Sequence, residues 1–100
     1  MTWSGPQRRR VVQASSEIRV ALPPAVALHA RPAANFVKTA MRFRSRMTVG
    51  VNGRLADAKS ILAVLALGAT GGTLLDLSAQ GEDAPAALDA LATCVSGLAE

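Results

Sequence analysis

The chain has 100 residues, half of them hydrophobic, and a formal net charge of +4, enough for a single domain with a buried core. Charges, Gly or Pro interrupt every apolar run before it reaches bilayer-spanning length, and the lone Cys94 excludes an internal disulfide. No His/Cys/Asp cluster has metal-ligand spacing and no Gly-rich nucleotide loop occurs, so neither a metal nor another cofactor is expected.

Residues 1–15 contain Arg8, Arg9 and Arg10 with no apolar core of signal-peptide length behind them. They are expected to form a basic, disordered leader to a domain over 16–100. Glu17 to Leu22 alternates, with Ile18, Val20 and Leu22 on one face, and predicts a half-buried strand closed by Pro23-Pro24. From Arg31 to about Phe43 the period turns helical, with Ala33, Phe36, Val37, Ala40 and Met41 as the apolar stripe. Met47, Val49 and Val51 alternate again, and Asn52-Gly53 signals a tight hairpin into a short strand over Arg54 to Asp57. Ser60 is placed to cap a short apolar helix from Ile61 to Leu67, ended by Gly68. Thr73 to Ala79 reads as a strand with Leu75 and Leu77 inward. A last helix follows, with Asp83 as its cap, Pro85 in its first turn, and Ala87, Leu88, Leu91, Val95 and Leu98 as its stripe. Cys94 falls in that helix and is read as a packed thiol.

The order is β-α-β-β-α-β-α. Three helices on one face of a four-stranded, mainly antiparallel sheet make an α+β two-layer sandwich, its other face left to water. Every apolar stripe then has an internal place to go, so a monomer is expected.

The stretch that stands out is Leu28-His29-Ala30-Arg31-Pro32, holding the only histidine. Proline suits the first turn of a helix, where its missing N–H would have had no partner. The candidate caps, Ala30 and Arg31, carry no side-chain acceptor, so the helix is expected to open with bare amides at the positive end of its dipole. That is a site for an anion, within reach of a phosphoryl group on His29, and Arg31 can add charge-assisted hydrogen bonds. Arg31, Asn35, Lys38 and Arg42 continue from it as one polar, largely basic stripe.

The run His29-Ala30-Arg31-Pro32-Ala33 resembles the active-site signature of the HPr family, the histidine-containing phosphocarriers of the sugar phosphotransferase system. Asn52 to Leu62 resembles that family's hairpin and regulatory-serine segment, and the likeness runs from about Ser16 to the C-terminus. One departure is Ala27, where the family commonly has Gly; a side chain there restricts the loop's access to φ > 0.

The resemblance implies an open-faced sandwich and a cytoplasmic carrier that is not itself an enzyme. It implies that Nδ1 of His29 takes phosphate from the phosphoenolpyruvate-dependent Enzyme I and gives it to Enzyme IIA proteins for sugar uptake, with Arg31 clamping the phosphate. It implies regulatory phosphorylation at Ser60 by a serine kinase, reversed by a phosphatase. Lys38 and Arg42, with Ile61, Leu62 and Leu65 on the short helix, are the expected docking residues. Within the family, a nitrogen-regulatory or dihydroxyacetone-kinase branch is the alternative to sugar uptake. Outside it stand a small basic nucleic-acid-binding domain, disfavoured because only three aromatic residues are present to stack bases, and a non-phosphorylated docking regulator. Both outside readings predict indifference to His29→Ala.

Overall fold

Alternation at Met47, Val49 and Val51 produces strand β2 (Arg46–Val51), and all three side chains are buried. Asn52 and Gly53 then take φ values of 51° and 83°, the pair of positive values that a type I′ hairpin turn requires, and the chain returns as β3 (Arg54–Asp57). The computed structural model describes residues 15–99. The expected basic leader lies outside them, except that Ser15, placed at its end, is already paired in the first strand, β1 (Ser15–Ala21). With β4 (Leu74–Gln80) the sheet has four strands in the order β1-β4-β2-β3, and every neighbouring pair is antiparallel. Three helices, α1 (Ala30–Ala40), α2 (Ile61–Ala66) and α3 (Ala84–Ser96), complete the open-faced α+β sandwich.

One hydrophobic cluster fills the space between the layers. Phe36 and Ala33 of α1, Val64 of α2, Leu91 and Val95 of α3, and Val49, Leu75 and Leu77 of the sheet are all buried in it. The stripe expected on the last helix is buried throughout, including Leu98 just beyond the helix end. The opposite sheet face carries Glu17, Arg19, Thr48, Asp76 and Ser78. There Arg19 donates through Nε to Asp76 at 2.7 Å across β1 and β4, and Thr48 and Ser78 share a hydrogen bond across β2 and β4.

Four expectations need correction. The first helix ends at Ala40 instead of Phe43, so Met41 becomes its C-cap and is 64% exposed instead of completing the apolar stripe. Ile18 points to the helix side but is exposed, because β1 is an outer strand with no neighbour beyond it among the described residues. The cap of the first helix is His29, not Ala30 or Arg31. Asp83 does occupy the N-cap position of α3, but its carboxylate turns away from the helix. It accepts the amides of Arg44 and Ser45, each at 2.9 Å, and the buried Ser45 hydroxyl. Those bonds, the Ser45 hydroxyl foremost, hold the Asp83 carboxyl below its ordinary pKa.

Candidate functional site

The segment between β1 and α1 is held at three points. Val26 closes a turn onto the Pro23 carbonyl at 3.1 Å, buried Leu28 donates to the Ala69 carbonyl at 2.9 Å, and the His29 amide donates to the Ala27 carbonyl at 3.0 Å. The second bond ties the residue before the histidine to the loop that follows α2. Ala27 takes no positive φ; the left-handed residue of the turn is Ala30, at +46°. For a side-chain-bearing residue that conformation costs on the order of 1 kcal/mol, and it turns the chain sharply into α1. The segment therefore closes with Ala27 in an ordinary conformation.

His29 is the N-cap of α1, extended at φ −141° and ψ 173°, exposed, and its ring makes no capping hydrogen bond. Its carbonyl accepts the Ala33 amide at 3.4 Å. The amides of Ala30 and Arg31 have no acceptor among the described residues, and Pro32, buried in the same turn, has no N–H to offer. The helix start thus presents two bare donors and an undischarged dipole end beside an exposed imidazole, which suits an anion of phosphate size. No carboxylate occupies the first turn of α1 to compete for those donors.

Arg31, Asn35 and Lys38 are exposed along α1, and Arg42 is exposed in the turn just beyond its end. Among the described residues the salt bridge found is Arg19–Asp76, so these cations are not tied to a carboxylate. Lys38 lies about 13 Å along the helix from His29 at 1.5 Å rise per residue. Arg42 stacks over the Phe43 ring, 5.4 Å from its centroid, which stiffens the end of the stripe.

Ser60 is the N-cap of α2, its hydroxyl accepting the Ala63 amide at 3.2 Å. The turn before it is set by Asp57, which takes the Lys59 amide on Oδ1 at 2.9 Å and the Ser60 amide on its carbonyl at 3.0 Å. Two cations that sequence patterning did not single out brace this helix. Lys59 Nζ donates to the Phe43 carbonyl at 2.7 Å, tying the α2 start to the α1 exit, and Arg54 donates to the Ala66 carbonyl at 2.7 Å, at the negative end of α2. Both bonds join positions more than ten residues apart, which no local pattern reports. Packed against α1, the short helix exposes Ile61, Leu62 and Leu65, with Leu62 77% accessible. His29 and Ser60 thus head two helices of the same layer. Cys94 is partly buried against the core and unpaired. No group of metal-ligating side chains occurs among the described residues, and no helix is long and apolar enough to cross a membrane.

Over residues 15–96 the chain matches the family model described as "PTS HPr component phosphorylation site". It is 45% identical over 71 residues to the phosphocarrier protein HPr of Haemophilus influenzae, covering 71% of this chain and 84% of that protein. It is 41% identical over 85 residues to the HPr-like protein Crh of Bacillus subtilis, covering 85% and 95%. Among solved structures, the phosphocarrier protein HPr from Bacillus anthracis superposes with a TM-score of 0.78 at 36% identity, over 82% of this chain and 98% of that one. Fold and matches together define a phosphocarrier of the phosphotransferase system, a carrier protein and not a catalyst. The chain belongs to the HPr family.

Proposed function

We propose that the protein carries phosphoryl groups on Nδ1 of His29, taking them from the phosphoenolpyruvate-dependent Enzyme I and giving them to Enzyme IIA proteins for sugar uptake and phosphorylation. The observation that carries this reading is the exposed His29 ring at the head of a helix whose first amides, on Ala30 and Arg31, have no protein acceptor. The unprotonated ring nitrogen attacks phosphorus, and the bond between phosphorus and the donor breaks. The two amides and the Arg31 guanidinium receive the phosphoryl oxygens. A helix N-terminus contributes roughly 0.3–2 kcal/mol, enough to hold the group and too little to trap it. Protonation of the ring makes it a leaving group when the acceptor's nucleophile arrives. The protein acts in the cytoplasm, as a monomer, and needs no cofactor.

Lys38 and Arg42 attract acidic partner surfaces, and Ile61, Leu62 and Leu65 supply the apolar contact. Ser60 has a second role where a cognate kinase exists: a phosphate there sits at the start of α2, keeps the helix, and places negative charge beside that contact patch.

Incubation with Enzyme I and labelled phosphoenolpyruvate tests the reading. Wild type is expected to take up label that is acid-labile and base-stable, and His29→Gln to take up none. Equal labelling of His29→Gln would overturn it.

A further inference from the structure

The corner where α1 hands the chain to β2 collects cations that no described carboxylate pairs with. Ser45 is buried there, and its neighbours on both sides, Arg44 and Arg46, are exposed. Lys59 joins them from the turn before α2, its Nζ steadied by the Phe43 carbonyl at 2.7 Å with two N–H groups left over. The three line one hollow of about 480 Å³ together with Gln80 and Asp57. Strand register sets those two on either side of Arg46. Gln80 of β4 lies directly opposite it, and Asp57 of β3 lies opposite Thr48, the next residue on the same face of β2. The Arg44 and Arg46 side chains bond to no described residue, and the ion pair found among the described residues is elsewhere, Arg19 with Asp76. The corner is fixed before any ligand arrives. Asp83 holds the Arg44 and Ser45 amides, each at 2.9 Å. A β-carbon on Gly81, which also lines the hollow, would come within 2.7 Å of the Ser45 hydroxyl.

We propose that this hollow is a second anion site, for a soluble phosphomonoester that also carries hydroxyl groups, that is, a sugar phosphate. Three cations against the single carboxylate of Asp57 leave an excess of two positive charges, which a phosphomonoester dianion matches. Glu82 and Asp83 face a separate recess beside it. Guanidinium forks fit phosphate oxygens, and Lys59 Nζ closes on them from the α2 side. One oxygen of Asp57 is taken by the Lys59 amide at 2.9 Å, and the other is left for a hydroxyl to donate to. The Gln80 carboxamide both donates and accepts. The carboxylate also disfavours a bare phosphate ion, which brings the same charge and no sugar hydroxyls in return, so it acts as a selector. A largely polar hollow of this size admits a six-carbon sugar phosphate and offers little to an apolar ligand. Helix α1 sets roughly 16 Å between His29 and this corner, so the site stands apart from the phosphoryl relay and its ligand donates nothing to the ring.

Titration of the full chain with glucose 6-phosphate, inorganic phosphate and glucose, each followed by amide spectra, tests this. Glucose 6-phosphate is expected to shift the amides of Arg44, Arg46, Lys59, Gln80 and Gly81. It should bind about tenfold more tightly than inorganic phosphate, the margin of one charge-assisted hydrogen bond, and glucose alone should shift none of them. Arg44→Ala and Arg46→Ala each weaken glucose 6-phosphate binding about tenfold, with native spectra and undiminished phosphoryl uptake from Enzyme I. Asp57→Asn keeps an oxygen for the Lys59 amide and narrows the margin between the two anions. Shifts confined to Ala30 and Arg31 overturn the inference while leaving the relay at His29 standing. So does equal binding of glucose 6-phosphate and inorganic phosphate, affinity indifferent to both arginines, or capture by phosphatidylglycerol vesicles in place of the free monoester.

Discussion

A β-carbon on Gly71 would fall 1.9 Å from the carbonyl oxygen of Pro24. The loop after α2 and the segment leading to His29 are therefore in backbone contact, reinforced by the bond from Leu28 to Ala69. The obstacle is main chain on both sides, and no side chain can swing away to admit an extra methyl.

Gly71→Ala is expected to push the two segments apart. Overpacking of this kind costs about 1–3 kcal/mol, which lowers the melting temperature of a domain this size by roughly 4–8 °C per kcal/mol. Thermal unfolding followed by circular dichroism measures it, and phosphoryl uptake should slow as well, since the displaced segment carries His29.

Arg31→Ala should leave the fold untouched, because the side chain is exposed and bonded to no described residue. Loss of a charge-assisted hydrogen bond of about 1.5 kcal/mol predicts phosphorylation by Enzyme I slowed roughly tenfold, with labelling still reaching completion. Rapid-quench measurement of the transfer rate checks it; an unchanged rate removes Arg31 from the site.

Ser60 separates into two roles by substitution. Ser60→Ala removes the acceptor for the Ala63 amide and should cost about 1 kcal/mol of stability, seen as a lower urea midpoint. Ser60→Asp keeps a capping oxygen and with it the stability. It also puts a charge next to Ile61, Leu62 and Leu65, so the KM for Enzyme I should rise while Ser60→Ala leaves it near wild type.

Asp83 governs the acid limb of stability. Its carboxyl is held below the ordinary value of 3.8 by the Ser45 hydroxyl and the Arg44 and Ser45 amides. A carboxyl depressed on folding stabilises the native state fully above its unfolded pKa, and the contribution is lost as pH falls through the lowered folded value. Urea midpoints of wild type should therefore decline as pH drops below about 4. Asp83→Asn should start lower at neutral pH and show a shallower decline.

Much of this molecule was legible in its residues because the deciding interactions are local. The I′ turn needs Asn52-Gly53 at adjacent positions, the α2 cap needs Ser60 three residues before its donor, and period-2 alternation at Met47, Val49 and Val51 specifies a buried face. The helix start at His29 was readable for the same reason, as a matter of which neighbouring residues lack an acceptor, although the cap itself proved to be the histidine. What only the tertiary structure decided involves partners far apart in the chain. Asp83 carries a good capping side chain, yet Ser45 and the Arg44 amide, 38 and 39 positions away, claim it. Ile18 fits a strand pattern, yet strand order leaves it at an outer edge. Gly71 looks like any loop glycine until Pro24 is seen against it, and Ala30 takes a left-handed φ where the tethered segment turns into α1. Periodicity and capping report which groups need partners, and only the packed chain settles which distant partner arrives.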